Sequence, residues 1–219
     1  MKIQTIKKKN NFILFDFPRT KYKVVKKIIN KDMADFIYNY FFTKRKVTRL
    51  LFDHNMISPS STEWGTWKHD QMINTYSHYA DIVMETLLEK IKPKIEKQVQ
   101  FKLTPTYSYA RIYKKGDMLP RHKDRSNCEV SGTLFLGGDK WDIYLDPSGK
   151  SGKKGKKVKL DQGDILLYAG CEVEHWREPF KGENCCQVFL HYGKTGSAQT
   201  EQNKFDRRPF LGLPDMFKE

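Results

Sequence analysis

Apolar positions follow two regimes along this chain: helical spacing dominates its first half and strand-like alternation its second. In residues 1–29 basic and apolar positions alternate, around Phe12, Ile13, Leu14 and Phe15 and then Tyr22, Val24, Val25 and Ile28. This predicts one or two short strands at a sheet edge, where lysines discourage mispairing. Asn30-Lys31-Asp32 offers a helix start, and Met33, Phe36, Ile37, Tyr40 and Phe41 recur at helical spacing, so a helix is expected to end near Lys44–Lys46. Residues 53–72, with Pro59, several hydroxyl residues and Gly65, read as a loop whose Trp64 and Trp67 anchor it to the core. From Asn74 to Lys92, Tyr79, Ile82, Val83, Leu87, Leu88 and Ile91 form an apolar stripe, with Asp81, Glu85 and Glu89 on the other side. That is a helix packed on a sheet, kinked or stopped at Pro93.

Beyond Val99 short runs of β-branched and aromatic residues alternate with turn signals. Strands are predicted at Thr104–Tyr113, Ser131–Leu136, Trp141–Leu145, Lys157–Leu160, Asp164–Tyr168, Val173–Arg177 and Cys186–Tyr192. Gly137-Gly138-Asp139, Pro147-Ser148-Gly149 and Gly163-Asp164 mark turns. Strands this short and this many suggest an antiparallel sandwich or jelly roll. The basic, glycine-rich stretch from Lys150 to Lys157 reads as a solvated hairpin loop. After a polar segment from Lys194 to Lys204, the apolar run ending at Pro214 is expected to dock back on the domain. One domain covers 1–219: supporting elements over 1–98, the β-rich core over 99–193 and the docking tail over 194–219.

Composition narrows the class. With 38% hydrophobic and 13% aromatic residues among 219, the chain can bury a core, and no apolar run is long enough to span a bilayer. The N-terminal residues carry no signal-peptide pattern. Cys128, Cys171, Cys185 and Cys186 show no CxxC spacing, and adjacent Cys185 and Cys186 face opposite ways in a strand. Reduced thiols in a soluble, cytoplasmic protein are expected. The net charge of +14, from 40 Lys and Arg against 26 Asp and Glu, is compatible with a nucleic-acid or other polyanionic partner. The lysines are scattered, however, and Lys, Asn, Ile and Tyr are all frequent, so compositional bias explains the charge equally.

The chemistry concentrates at Arg121-His122-Lys123-Asp124-Arg125. In an extended segment His122 and Asp124 point to the same side and offer an imidazole and a carboxylate to one metal ion. His175, on a later predicted strand, supplies a third ligand. Two histidines and a carboxylate with open positions opposite form the facial triad of non-heme Fe(II) oxygenases, whose metal must also admit O₂ and a bidentate cosubstrate. The bland alternative is a surface hydrogen-bonded pair plus a core histidine. His54, His69 and His78 share no such spacing and carry no assignment. Arg121 and Arg125 flank the triad pair on the opposite face and are expected to meet solvent or substrate.

From these residues onward the chain resembles the Fe(II)/2-oxoglutarate-dependent oxygenases, in particular their prolyl 4-hydroxylase-like branch, over roughly residues 100–193. Tyr113 and Gly116 precede His122 at that branch's spacing. Thr133–Gly138 looks like its central strand and turn, Gly163–Tyr168 like the strand before the distal histidine, and Gln187–Tyr192 like its last strand. The wording of Glu174–Phe180 and Gln187–Tyr192 also resembles oxygenase-like proteins of bacteriophages, which would put the protein in a host cytoplasm. The resemblance implies a double-stranded β-helix, mainly β, with N-terminal helices packed on the major sheet. It also implies iron held by His122, Asp124 and His175, with 2-oxoglutarate and O₂ as cosubstrates and ascorbate as a further cofactor. The reaction implied is oxidative decarboxylation to succinate and CO₂, coupled to hydroxylation of a prolyl or other residue of a protein or peptide. Tyr113 matches the tyrosine that reaches the cosubstrate.

Two positions depart from the family pattern. Nine and ten residues after the distal histidine, where a Lys or Arg clamps the far carboxylate of 2-oxoglutarate, stand Asn184 and Cys185, and the usual central-strand tyrosine is Phe135. A buried carboxylate needs a cation. Strand alternation offers Arg177, on the His175 face, then Arg111, on the Tyr113 face, with Gln187 as a hydrogen-bonding helper. The missing clamp also leaves room for a catalytically inactive β-helix kept for binding, and the charge for a nucleic-acid-modifying oxygenase.

Overall fold

In the computed structural model, residues 17–58, 60–68, 72–148, 150 and 152–219 are described; the expected strand around Phe12–Phe15, and His69, lie outside them. Strands leave one sheet for the other along the chain. Ten strands are present among the described residues: β1 (Tyr22–Val25), β2 (Ser77–Tyr79), β3 (Leu103–Lys114), β4 (Leu119–His122), β5 (Val130–Gly138), β6 (Ile143–Asp146), β7 (Lys156–Val158), β8 (Ile165–Tyr168), β9 (Glu174–Arg177) and β10 (Asn184–Lys194). They form a six-stranded sheet ordered β1-β8-β5-β10-β3-β2 and a four-stranded sheet ordered β4-β9-β6-β7, every pairing antiparallel. From β3 to β10 the chain visits major, minor, major, minor, minor, major, minor and major sheet, which is the double-stranded β-helix. β1 lies at the edge of the major sheet, where the alternation of its lysine with apolar residues put it.

Side-chain alternation on the major sheet separates two cores. Ala110 and Ile112 of β3, Leu134 and Leu136 of β5, and Cys186, Val188 and Leu190 of β10 face the helices. Tyr113, Phe135, Tyr168 and Cys185 face the minor sheet and meet Leu119, Ile143, Leu145 and Val158. Cys185 and Cys186 therefore enter different cores, and all four cysteines are free.

After the single turn α1 (Phe17–Thr20), two long helices cover the outer face of the major sheet. Beginning as expected, with Asn30 capping Met33 N at 3.0 Å, α2 (Lys31–Asp53) runs well past Lys46, because Thr48 and the residues after it continue the inward face. The second expected helix is corrected at both ends: residues Ser77–Tyr79 are strand β2, and α3 spans Ile82–Val99. Asp81 caps α3, accepting from Val83 N at 3.0 Å and Met84 N at 3.1 Å, and Pro93 lies within it without ending it. Asp81 and Glu85 are buried, not solvent-facing as the stripe implied, because each has a cation. Asp81 pairs with Lys44, and Glu85 with Arg208 at 2.8 Å. Trp67 packs against the core beside Phe52 and Tyr76, anchoring its loop, while Trp64 stays largely exposed.

The tail from Lys194 does dock, but through charge more than apolar contact. Arg208 reaches the Glu85 carboxylate and the carbonyls of Phe205, Thr106 and Leu213, whereas Phe210 remains exposed. Between the short helix α4 (Ala198–Gln202) and this anchor, Phe205, Asp206 and Arg207 all adopt left-handed φ values of 52–64°. Non-glycine residues resist that conformation. It is held here because Asp206 accepts from Tyr79 at 2.7 Å and Asn127 at 2.8 Å, and pairs with Arg125 and Lys218. Among the described residues, no helix is long and apolar enough to cross a membrane.

Candidate metal centre

Strand pairing brings the distant histidines together. β4 lies against β9 with His122 directly opposite His175, and their ring centres are 4.2 Å apart. Asp124 follows β4, its N–H bound to Gly170 O at 2.9 Å, so its carboxylate turns back toward both rings. Asp124 Oδ1 is 3.8 Å from His122 Nε2 and 3.5 Å from His175 Nε2, and the ligand atoms of the three residues lie within 4.8 Å of one another.

The hydrogen bonds behind these groups fix which atoms face inward. Nδ1 of His122 lies 2.8 Å from Pro120 O, and Nδ1 of His175 lies 3.1 Å from Val173 O. A carbonyl only accepts, so each Nδ1 carries the proton and each Nε2 presents its lone pair. The Ser131 hydroxyl donates to Asp124 Oδ2 at 2.6 Å and, its proton being committed, accepts from His191 Nδ1 at 3.0 Å. His191 in turn stacks on Tyr107 with ring centres 4.4 Å apart. Asp124 thus keeps one oxygen for Ser131 and one for the centre, the outer-shell arrangement that orients metal ligands.

Electrostatics agree with this. Burial opposes ionisation of Asp124, but His175, His191 and Ser131 outweigh it and hold its carboxyl far below the usual carboxylate range. Burial, and then the nearby His175, lowers the His122 pKa. Burial, helped by Arg125 and His175, pushes His191 down to about 4 against the attraction of Asp124. Asp124 is thereby held ionised and His122 is favoured as the neutral imidazole, the forms in which these groups bind a metal. Imidazole and carboxylate without thiolate suit a ferrous ion.

A cavity of about 520 Å³ opens over the three residues. Alternate residues of β3, namely Tyr107, Tyr109, Arg111 and Tyr113, line one side, and Phe189 and His191 of β10 continue it. The loop at 62–68 and the tail residues Pro214, Asp215 and Lys218 form further walls. Tyr113 is fully buried, with its hydroxyl making no hydrogen bond of normal geometry, although Arg111 and Arg177 both act on it electrostatically. Arg177, 1% exposed, donates Nη1 to Trp141 O and lies 5.0 Å from the Trp141 ring, while its Nε and Nη2 have no partner. Its charge reaches the Cys185 thiol. Gln187 donates Nε2 to Cys185 Sγ at 3.2 Å and leaves Oε1 without a partner. Arg111, 3% exposed, gives Nη2 to Tyr109 at 3.2 Å and leaves Nε without a partner.

Of the seven residues singled out in the sequence, the structure brings His122, Asp124, His175, Tyr113 and Arg111 together on the cavity wall; Arg177 and Gln187 are buried outside that lining, beside Cys185. Of the flanking arginines, Arg121 is corrected: it is tied to Glu174 and Asp146 and lies 4.3 Å from the Trp176 ring, so it braces the outside of the minor sheet. Arg125 pairs with Asp206 at 3.3 Å yet stays half-exposed on the cavity wall, where solvent or substrate can meet it as expected. Ser131, His191 and Gly170 were missed. A Cβ at Gly170 would lie 2.5 Å from Asp124 Oδ2 and 2.2 Å from Ser131 Oγ, so only glycine fits behind the carboxylate.

No family model and no curated protein sequence matches the chain. Solved structures do. A prolyl-4-hydroxylase from Pseudomonas putida aligns over 83% of this chain and 96% of its own, with TM-score 0.57 and 13% identity. HygX from Streptomyces hygroscopicus, with nickel and 2-oxoglutarate bound, aligns over 88% and 94%, with TM-score 0.57 and 13% identity. The viral collagen prolyl hydroxylase of Paramecium Bursaria Chlorella virus-1, in its 2-oxoglutarate complex, aligns over 80% and 96%, with TM-score 0.52 and 10% identity. At these identities the likeness establishes the architecture: the chain is a double-stranded β-helix like that of these three structures.

Proposed function

We propose that the protein is a non-heme Fe(II)- and 2-oxoglutarate-dependent oxygenase that hydroxylates an unactivated C–H bond, with a prolyl or other residue of a protein or peptide as substrate. The observation that carries this reading is the convergence of His122 Nε2, His175 Nε2 and an Asp124 oxygen on one point of the cavity wall. Two imidazoles and one carboxylate on one side of an ion leave its other positions open. Iron, 2-oxoglutarate and O₂ supply the oxidising chemistry that no side chain here provides.

The chain's own residues hold and orient. Pro120 O and Val173 O fix the tautomers of the metal histidines, and Ser131 and His191 fix the carboxylate. Arg177 holds the far carboxylate of 2-oxoglutarate. Its unpartnered Nε and Nη2 form the fork a carboxylate accepts, and it stands beside Cys185, where the resemblance puts the usual cation. The free Tyr113 hydroxyl adds a donor, and Gln187 steadies this corner through Cys185. Such buried donors without partners are costly unless a ligand satisfies them. The prolyl hydroxylases among the structural neighbours support a peptide substrate.

The test is aerobic incubation of Fe(II)-loaded protein with 2-oxoglutarate, with and without a peptide panel, reading succinate by mass spectrometry. Succinate from the parent and none from His175→Ala is the expected outcome. A protein that binds no iron and forms no succinate would be a β-helix kept for binding.

A further inference from the structure

Three arginines are buried among the described residues, and they are not equivalent. Arg208 is neutralised by Glu85. Arg177 and Arg111 have no carboxylate partner among the described residues, although burying an unpaired guanidinium is costly. One anion belongs to this region on the function proposed above, the far carboxylate of 2-oxoglutarate, and Arg177 takes it. One buried cation is left over.

Resting on that reading, we infer that Arg111 is the receptor for an oxyanion carried by the substrate, a carboxylate or phosphate group held beside the reacting carbon. Arg111 lines the open part of the cavity and Arg177 lies outside that lining, so the two cations serve separate places and Arg111 is the one that faces the space left for a substrate. Arg111 shares the wall of this cavity with His122, Asp124 and His175. There a cation and a metal ion repel each other, and an anion between them relieves both. The rings of Tyr109 and Tyr113, whose centres lie 5.0 and 5.5 Å from the guanidinium carbon, hold it in place. Of the other cations on the wall, Arg125 and Lys218 are committed to Asp206, whereas Lys68 and Lys123 pair with no carboxylate among the described residues and add to the positive field. Against them, among the described residues, the cavity wall offers Asp215 besides the metal ligand Asp124.

The experiment uses protein loaded with Zn(II), which is redox-inert, and titrates it calorimetrically. 2-Oxoglutarate is added first, then inorganic phosphate or acetate at saturating 2-oxoglutarate. The expected result is saturable binding of at least one of the two anions, and the stronger one identifies the substrate group. Arg111→Gln should weaken that binding roughly tenfold or more while 2-oxoglutarate affinity stays within about threefold, and Arg177→Gln should do the reverse. Arg111→Met should keep or raise the melting temperature, since it removes an unpaired charge. The proposal is overturned if neither anion binds, if Arg111→Met unfolds the protein, or if 2-oxoglutarate affinity is lost with Arg111 and kept without Arg177. A protein that takes up neither metal nor 2-oxoglutarate defeats the oxygenase reading instead. Phosphate and acetate titrations of the metal-free protein, parent against Arg111→Gln, then decide the anion site on its own.

Discussion

Replacing Arg177 by Met separates a ligand clamp from a structural arginine, because the two roles predict opposite balances of stability and affinity. The substitution removes one hydrogen bond, to Trp141 O, and a ring contact at 5.0 Å. Together these are worth about 2–3 kcal/mol. It also removes a buried charge with no acid partner, and apolar replacement of buried ions is often neutral or stabilising by about 1–4 kcal/mol. The terms nearly cancel, so unfolding free energy should change by no more than about 1 kcal/mol, measured by urea denaturation of the metal-free protein. Affinity should behave otherwise. Two charge-assisted hydrogen bonds from Nε and Nη2, at roughly 1.5–3 kcal/mol each, correspond to a loss of about 10²–10⁴-fold in 2-oxoglutarate binding. Calorimetric titration of the Zn(II)-loaded variant measures it. A stability loss of about 3–5 kcal/mol with 2-oxoglutarate affinity within about threefold of the parent would refute the assignment and make Arg177 a structural brace.

Gly170→Ala forces a Cβ within 2.5 Å of Asp124 Oδ2 and should lower metal affinity roughly 10–100-fold with the circular dichroism spectrum unchanged; unaltered affinity would show that the carboxylate is not so confined. The buried His191 titrates near 4, against about 6.5 in an unfolded chain, so the unfolded state binds the extra proton between those values. The stability this contributes is complete above about pH 6.5 and falls by roughly 3 kcal/mol as pH drops through 4; urea titrations across that window should show a shallower decline for His191→Asn. Glu85→Gln leaves Arg208 buried with a weakened partner and should cost about 3–5 kcal/mol, whereas Glu85→Met combined with Arg208→Met should cost less than the sum of the single changes.

The grouping of His122, Asp124 and His175 was legible because its information is local. Alternation puts His122 and Asp124 on one side, and a strand carrying His175 only had to pair with theirs. The β-rich half was legible for the same reason, since its turns and runs of β-branched and aromatic residues are short-range signals. What escaped depends on partners far away in sequence. Asp81 and Glu85 read as the wet side of a helix until Lys44 and Arg208 neutralise them. The left-handed turn at Phe205–Arg207 has no glycine to announce it and exists because Asp206 gathers Tyr79, Asn127, Arg125 and Lys218. Ser131 and His191 became recognisable only when β5 and β10 paired with Ser131 opposite His191.

The ladder of β3 separates recognition from chemistry along a single strand. Tyr107, Tyr109, Arg111 and Tyr113 share one face, spanning about 20 Å at about 3.3 Å per residue, while Ala110 and Ile112 fill the opposite core. Someone wishing to retarget the protein therefore has a graduated scale. Libraries at Tyr107 and Tyr109 should alter which molecules enter, a change at Arg111 should alter the charge they must carry, and Tyr113 should be left alone. A one-residue deletion within the strand offers no such gradation, because it exchanges every pocket residue for a core residue at once.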